Sequence, residues 1–103
     1  MAISVTCGDI VKLKTKPGEY LVLSCSDFSH FSGRVWLCPI VAGLDDFPLH
    51  IKIHSETEKS ILCERLLDDE IGNVEKVLSS LPTYQWNEVK KIILAILGGS
   101  DEI

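Results

Sequence analysis

The sequence predicts a mainly β domain with some α structure: a small antiparallel sheet, curled or closed into a barrel, followed by one C-terminal helix. Three observations predict this fold class. Apolar segments of strand length recur through residues 8 to 65, the turns between them are too short for crossover helices, and the last apolar segment has helical spacing. A chain of 103 residues that is 46% hydrophobic has enough apolar material for one compact domain spanning its whole length.

The first strand signal is an alternation of apolar and basic residues. Val11 and Leu13 alternate with Lys12 and Lys14, which is the period of a half-buried strand with its lysines in water. The pair Pro17-Gly18 follows as a turn signal, because proline fixes one backbone dihedral and glycine permits the next to be positive.

Two more apolar segments predict strands on either side of a short polar stretch. Residues 20–25, YLVLSC, predict a strand buried on both faces, and residues 34–40, RVWLCPI, predict a third long strand. Residues 26–33 between them are consistent with one helical turn or an ordered loop. The apolar run from 34 to Gly43 is broken by Pro39, and no hydroxyl, carboxylate or basic group follows that proline before Gly43.

Residues 48–54 show the clearest strand alternation, and residues 60–65 predict a further apolar strand. Leu49, Ile51 and Ile53 point to one side of the first of these strands. His50 and His54 point to the other side, roughly 13 Å apart at the rise of an extended chain, so they do not share one metal ion. We interpret both histidines as solvated surface residues.

The segment from Leu67 to Leu81 is ambiguous. Its apolar residues are spaced by four, three, four and three positions, which favours an amphipathic helix. Gly72-Asn73 lies in the middle of the segment and favours a turn.

The last segment predicts a helix of about four turns, with Thr83 as its N-cap and Gly98-Gly99 as its stop. Its apolar face is predicted to cover the sheet. That face comprises Trp86, Val89, Ile93, Ile96 and Leu97.

Composition limits the classes of function. The formal net charge of -5 disfavours a surface that attracts phosphate everywhere, although a local basic groove remains compatible with it. No apolar run is long enough to cross a membrane and the first residues do not resemble a signal peptide, so we expect a cytoplasmic protein without membrane contact.

The cysteines and acids do not predict a cofactor site. Four cysteines occur singly in apolar surroundings without a CxxC pair, so buried free thiols are expected and neither a metal ion nor a cofactor is predicted. Asp45-Asp46 and the acidic run Asp68-Asp69-Glu70 are interpreted as solvated loop acids rather than as catalytic pairs.

The order and spacing of several short segments resemble the MazF/PemK/Kid toxins of type II toxin–antitoxin pairs. The resemblance covers residues 8 to 98, and no single motif is specific by itself. The segments are GDIV (8–11), LVLS (21–24), SG (32–33), VWLCPI (35–40), FP (47–48), ILCER (61–65) and EVKKIILAILG (88–98). The resemblance implies a small SH3-like antiparallel barrel with a C-terminal helix, commonly a homodimer. It also implies a turn near 68–73 and a short strand near 75–80.

The resemblance implies metal-independent, sequence-specific cleavage of RNA, in which a ribose 2′-hydroxyl attacks the adjacent phosphate. That reaction needs a base, an acid and donors for the growing negative charge. The family supplies them chiefly through an arginine before the LVLS strand and a threonine or serine after the proline-containing strand. Here those places fall at or near Gly18 and at Val41, whose side chains can neither donate a hydrogen bond nor move a proton.

Other residues are candidates for an altered site. Arg65 stands where many family members carry glutamine, and Leu67 where a basic residue is frequent, so the basic groove is thinned. The candidate RNA-binding residues are Lys14, Lys16, Arg34 and Arg65. The loop that borders the family's groove contains Ser29, Ser32 and His30, and His30 is the candidate proton shuttle. Catalytic residues are otherwise not identified; His30 and Arg65 are weak candidates.

Three functions stay open at this point. The first is a toxin-fold protein that still acts on RNA, with catalysis weak or rebuilt around His30 and Arg65. The second is a degenerate member that only binds an antitoxin-like peptide or another protein, and the third is an inhibitor of a protein target such as a topoisomerase. RNA and an antitoxin protein are therefore the expected partners, and a homodimer is the expected assembly.

Overall fold

The computed structural model describes residues 4–43, 47–54 and 57–98. The elements in this part of the chain are strands β1 to β7, helices α1 and α2, and one 3₁₀ turn. Their bounds are β1 Asp9–Leu13, β2 Glu19–Val22, α1 Ser26–Ser32, β3 Arg34–Ala42, β4 His50–Ile53, β5 Lys59–Leu62, β6 Leu67–Glu70, the 3₁₀ turn Ile71–Asn73, β7 Val74–Ser80 and α2 Thr83–Ile96.

All strand pairs in the described residues are antiparallel, in the order β4-β5-β3-β2-β1-β7, and β6 pairs with β3. The nine-residue β3 is long enough to have two partners on one side: its first half pairs with β6 and its second half with β5. This division curls the sheet around β3. The predicted antiparallel, barrel-like fold with a C-terminal helix is confirmed.

The two faces of the sheet bury two separate apolar clusters, because successive side chains of a strand point to opposite faces. The inner cluster fills the curl of the sheet. It comprises Val5, Val11, Leu13, Tyr20, Val22, Val35, Leu37 and Val74. The outer cluster lies between the other face and α2. It comprises Leu21, Cys38, Ile40, Ile51, Ile61, Cys63 and Val89.

Helix α2 covers the outer cluster with only part of its predicted apolar face. Val89 is buried, and Trp86 and Ile93 are half-buried against the cluster. Ile96 and Leu97 are exposed, so their assignment to the core is wrong. The helix ends at Ile96 with Leu97 as its C-cap, and Gly98 follows in the left-handed region at φ 74°.

Thr83 is the first residue of α2 and not its N-cap. Pro82 occupies the N-cap position, and its carbonyl oxygen accepts hydrogen bonds from the amides of Gln85 and Trp86 at 3.0 Å each. No side chain caps the helix. Proline fixes the extended-to-helical transition through its restricted φ, so the helix begins without a hydroxyl cap.

The ambiguous segment contains two strands and no α-helix. Residues 67–70 pair with β3, so the turn is confined to Ile71–Asn73, shorter than the turn near 68–73 that the resemblance implied. β7 then runs from Val74 to Ser80 as the partner of β1. Gly72-Asn73 therefore marks the turn, as its composition predicts.

The cysteines divide into two pairs of different accessibility. Cys38 and Cys63 are buried, as predicted, whereas Cys7 is half-buried and Cys25 is exposed, so the prediction that all four lie in the core is wrong. Burial raises the pKa of the Cys38 thiol far above its ordinary value, and it raises the pKa of Cys63 to about 11. Cys38 and Cys63 are therefore neutral thiols in the folded protein near neutral pH.

We expect a thiol-reactive dye at pH 8 to modify Cys25 first and Cys7 more slowly, because Cys25 is exposed and Cys7 is half-buried. Cys38 and Cys63 should react only after unfolding in denaturant. Mass spectrometry of peptides after timed quenching identifies the modified residue. Early modification of Cys38 in the folded protein would contradict the placement of β3 in the centre of the sheet.

Candidate functional site

The two positions at which the family carries its catalytic arginine and hydroxyl lie at one end of the sheet. Glu19 of β2 pairs with Ile40 of β3, so one further step of this antiparallel register places Gly18 opposite Val41. Val41 is 39% exposed. Gly18 and Val41 are thus the residues next to the Glu19–Ile40 pair on the two chains, and neither offers a reactive side chain.

The backbone at Gly18 differs from that of an ordinary side-chain-bearing residue. Its φ is 99°, in the left-handed region that glycine adopts without penalty and other residues rarely adopt. No described atom lies within 4 Å of a Cβ built there. An arginine at this position would have room but would strain the turn.

Ser60, the cross-strand neighbour of Val41, does not supply the missing hydroxyl. Ser60 pairs with Val41 across β3 and β5, but its side chain is buried, and its Oγ donates a 2.8 Å hydrogen bond to the carbonyl oxygen of Gly43. That bond fixes the end of β3 to β5. Ser60 is therefore a structural residue.

A histidine–carboxylate pair lies on the same face of the sheet. His50 Nε2 is 2.6 Å from Glu64 Oε1 and 3.0 Å from Oε2, and the rings of His50 and Phe47 are 4.7 Å apart. The prediction of a solvated His50 is wrong, because Glu64 and Phe47 cover its ring. His54, by contrast, is exposed and 3.5 Å from Glu58.

The His50–Glu64 pair is not close enough to serve the Gly18–Val41 end directly. Lys52 of β4 is in register with Ser60, which is in register with Val41, and His50 lies two residues along from Lys52. Two strand spacings and one two-residue step give roughly 12 Å between the backbones at 41 and 50. The sequence did not predict the His50–Glu64 pair. The alternation of residues 48–54 indicates only that His50 points away from the apolar side of its strand, and Glu64 is distant from it in the chain.

Arg34 is neutralised by the acids of β6. Its Nε donates a 3.0 Å hydrogen bond to Asp68 Oδ1, and its Nη1 is 3.9 Å from Glu70 Oε1. The Asp68 hydrogen bond raises the pKa of Arg34 further above its ordinary value. Asp68 and Glu70 are exposed but not solely solvated, since they pair with this candidate RNA-binding residue. Asp45 and Asp46 lie outside the described residues.

Lys14 and Lys16 are exposed in the loop between β1 and β2. The Lys14 amide donates a 2.8 Å hydrogen bond to the carbonyl of Asn73, whose side chain donates to Asp69 Oδ1 at 2.7 Å. The Asn73 hydrogen bond is the main cause of a lowered pKa at Asp69, and the charges of Lys16 and Arg34 add to it. The lysine loop is thus attached to the 3₁₀ turn.

Arg65 lies in the exposed loop between β5 and β6, where its amide donates a 3.1 Å hydrogen bond to the carbonyl of Leu62. Of the four candidate RNA-binding residues, Lys14, Lys16 and Arg34 therefore lie around the 3₁₀ turn and Asp69, and Arg65 lies on a separate loop.

His30 and Ser29 lie on α1, beside an open cleft of about 320 Å³ lined also by Val5 and Ile71 of the inner side of the sheet. His30 is exposed, and Ser29 is buried. Ser32 Oγ donates a 2.6 Å hydrogen bond to the carbonyl of Phe28 and accepts one from the amide of Arg34. Ser32 therefore stabilises the end of α1.

An apolar groove of about 330 Å³ runs between α2 and the outer face of the sheet. It is the most apolar open surface feature among the clefts described here. Its lining includes Trp36, Leu66, Trp86, Leu94 and Leu97, with Lys90 at the side of α2. Trp36 was predicted in a buried strand but is exposed there, with its ring 5.1 Å from that of Phe28.

No three histidine, cysteine, aspartate or glutamate side chains come together as metal ligands in residues 4–43, 47–54 and 57–98. Over the same residues, no helix has the length and apolar character required to span a membrane.

Solved structures similar to this chain are MazF toxins and their complexes. The first is a MazE–MazF complex from Deinococcus radiodurans: 19% identity, 95% of this chain and 100% of that chain covered, TM-score 0.83. An endoribonuclease from Mycobacterial species has 9% identity, 95% of each chain covered and a TM-score of 0.82. The Mycobacterium tuberculosis toxin MazF-mt6 has 11% identity and a TM-score of 0.76, with 89% of this chain and 98% of that chain covered.

No protein-family model matches the sequence, and no curated protein matches it either. The similarity is therefore one of backbone architecture over nearly the whole length of both chains. The strand order, the short helix before β3 and the C-terminal helix lead to one conclusion: this chain has the MazF-like toxin fold.

Proposed function

We propose that this protein is a MazF-like protein of a toxin–antitoxin type system that binds single-stranded RNA and whose endoribonuclease activity is weak, rebuilt elsewhere or lost. The observation that carries the proposal is the sheet end at which Gly18 and Val41 meet. Neither residue has a side chain that can move a proton or hold a developing charge, which supports weak or altered cleavage.

We assign RNA contact to the side chains of Lys14, Lys16 and Arg65. All three are exposed and form no salt bridge within the described residues. Such contacts depend on charge and not on catalytic geometry, so binding survives the loss of cleavage. The proposed setting is cytoplasmic and without membrane contact. The proposed assembly is a homodimer, consistent with the apolar surface left open on one chain.

The salt dependence of RNA binding tests the lysine assignment. Fluorescence anisotropy with a mixed-sequence, single-stranded RNA should give a dissociation constant that rises steeply with salt. The double variant Lys14→Ala/Lys16→Ala should reduce the slope of log K against log salt by about 1.4, since each phosphate contact on a single strand contributes ~0.7.

The matched control is Lys90→Ala/Lys91→Ala, which removes the same charge from exposed positions of α2. Its slope should stay at the wild-type value. Equal slopes for the two double variants would show that the lysine loop has no special role, and no measurable binding at low salt would remove RNA from the proposal.

The second candidate function is a protein-interaction module, and the apolar groove beside α2 favours it. MazE–MazF complexes are among the similar structures, and an antitoxin protein is the proposed occupant; a protein target such as a topoisomerase is the remaining alternative. If a protein target bound at this groove is the cause of growth inhibition, Leu94→Asp should abolish the inhibition on induced expression, while Lys14→Ala/Lys16→Ala should leave it unchanged. The reverse result would favour RNA as the target.

A further inference from the structure

Two lysines face each other across the β1–β7 pair. Lys12 of β1 is in register with Lys76 of β7, and both residues are exposed. Directly opposite residues of an antiparallel pair have their Cβ atoms about 4.5 to 5.5 Å apart, so like charges at such positions destabilise the pair. Neither lysine forms a salt bridge within residues 4–43, 47–54 and 57–98, so no carboxylate of this part of the chain offsets the repulsion.

A bulge in β7 creates this like-charge pair. Leu13, the residue after Lys12, is in register with Val74. Regular pairing from there would place Glu75 opposite Lys12, but the register shifts at this point and Glu75 becomes the extra residue of the bulge. Bulges re-aim side chains and are frequent beside functional sites. The shift exchanges an attractive pair for a repulsive one, and a local cost of this kind is typical of a functional site.

The acid nearest to Lys12 on the other neighbouring strand, β2, has a different partner. Val11 is in register with Tyr20, so one further step places Glu19 beside Lys12. Glu19 Oε1 instead accepts a 2.7 Å hydrogen bond from Lys59 Nζ. The carboxylate that β2 offers to the lysine pair is therefore already engaged.

The lysine pair suits one doubly charged anion better than it suits a singly charged anion. Lysine carries its ammonium group on a flexible four-carbon stem, so two lysines at opposed positions can reach the same anion. A phosphomonoester carries close to two negative charges at neutral pH and has three strong acceptor oxygens. An internal phosphodiester of RNA carries one charge, as does a carboxylate. Only the doubly charged group neutralises both ammonium groups at once.

We propose that Lys12 and Lys76 form a binding site for the dianionic phosphate of a phosphomonoester, on the exposed face of the β1–β7 pair. Lys14, which follows the buried Leu13 along the chain, adds positive charge beside this site. The inference goes beyond the proposed function, because the site needs neither RNA binding nor RNA cleavage. The phosphate comes either from a free nucleotide or from the 5′-phosphate end of an RNA, and the experiment distinguishes the two sources.

The test is a titration of the ¹⁵N-labelled protein with uridine 5′-monophosphate at pH 8, followed by amide NMR. The amides of Lys12 and Lys76 should shift, whereas uridine, which lacks the phosphate, should leave them in place. Dimethyl phosphate, which carries a single charge, should bind at least about fivefold more weakly than the nucleotide. Nucleotide binding should also weaken at pH 5, because the second proton of a phosphomonoester has a pKa of ~6.

Lys76→Glu tests the charge pair itself. It places an acid opposite Lys12, so it should weaken nucleotide binding at least about tenfold and raise the thermal unfolding midpoint by roughly 2 to 6 °C. Lys91→Glu, the matched control, makes the same change of charge at an exposed position of α2 and should do neither. A raised midpoint with unchanged nucleotide binding would show that Lys76 only protects the edge of the sheet from other strands, which would overturn the site.

Two RNAs of one sequence, with a 5′-phosphate or a 5′-hydroxyl, identify the source of the phosphate. About tenfold tighter binding of the phosphorylated RNA, lost in Lys76→Glu, supports the site and assigns it to RNA ends. Equal binding of the two RNAs, together with nucleotide binding, supports the site and assigns it to free nucleotides. The absence of nucleotide-induced shifts at Lys12 and Lys76 overturns the site and leaves the proposed RNA binding in place. Nucleotide binding without RNA binding supports the site and removes only RNA from the proposed function.

Discussion

Cleavage of single-stranded RNA by this protein is expected to be at least ~10³-fold slower than cleavage by an active MazF at equal concentration. Loss of one positioned donor costs ~10²- to 10³-fold, and loss of an arginine that stabilises a phosphoryl transition state costs ~10³- to 10⁵-fold. By the resemblance, these two positions fall at or near Gly18 and at Val41. The losses are not added, because residues of one site act as a unit.

The measurement uses end-labelled RNA of mixed sequence in EDTA, with the active homologue as the control. His30→Ala and Arg65→Ala serve as diagnostic variants of the two weak catalytic candidates. Cleavage within tenfold of the homologue, abolished by either variant, would show that the site has been rebuilt and that the prediction of lost activity is wrong.

Replacement of Leu37 by alanine is expected to lower the free energy of unfolding by about 2 to 5 kcal/mol. Leu37 is fully buried in the inner cluster, and it is in register with both Val22 of β2 and Leu67 of β6. Truncation therefore leaves a cavity where three strands meet. Denaturant unfolding monitored by tryptophan fluorescence and by circular dichroism gives the change.

Leu94→Ala is the matched control, because Leu94 is 47% exposed on α2. Its effect should remain within about 1 kcal/mol. Similar losses for the two variants would mean that β3 is not the centre of the core.

The sequence predicts most closely those strands that bury one face against the core and expose the other face to water. Val11 and Leu13 face the inner cluster while Lys12 faces water, so period-two alternation predicts β1 directly. The helical spacing around Val89 predicts α2 because that residue must be covered by the sheet. The exposure of Ile96 and Leu97 at the end of α2 could not be predicted, since the extent of the sheet beneath the helix depends on tertiary structure.

The ambiguous segment has a physical explanation. Leu13 pairs with Val74 and Val11 pairs with Val77, so β7 carries three steps where β1 carries two. A bulge of this kind inserts a residue and breaks strict alternation. The resulting spacing of apolar residues imitates that of a helix, and only the turn residues Gly72 and Asn73 indicate otherwise.

The positions of the candidate site stay a prediction, whereas the ionic partners of its neighbouring residues could not be predicted from the sequence. The proximity of Gly18 and Val41 follows from the pairing of β2 and β3, which the family resemblance implies. Neutralisation of Arg34 by Asp68, and the pairing of His50 with Glu64, depend on contacts between residues far apart in sequence. No periodicity in a single segment contains that information.

Sequencing of RNA 5′-hydroxyl ends after induced expression tests the central claim most directly, namely that the MazF-like fold is retained here without its usual cleavage chemistry. A strain expressing an active MazF is the positive control, and uninduced cells are the background. We predict no new ends above background in cells that express this protein. New ends sharing one sequence context, and absent when His30→Ala or Arg65→Ala is expressed, would contradict the account.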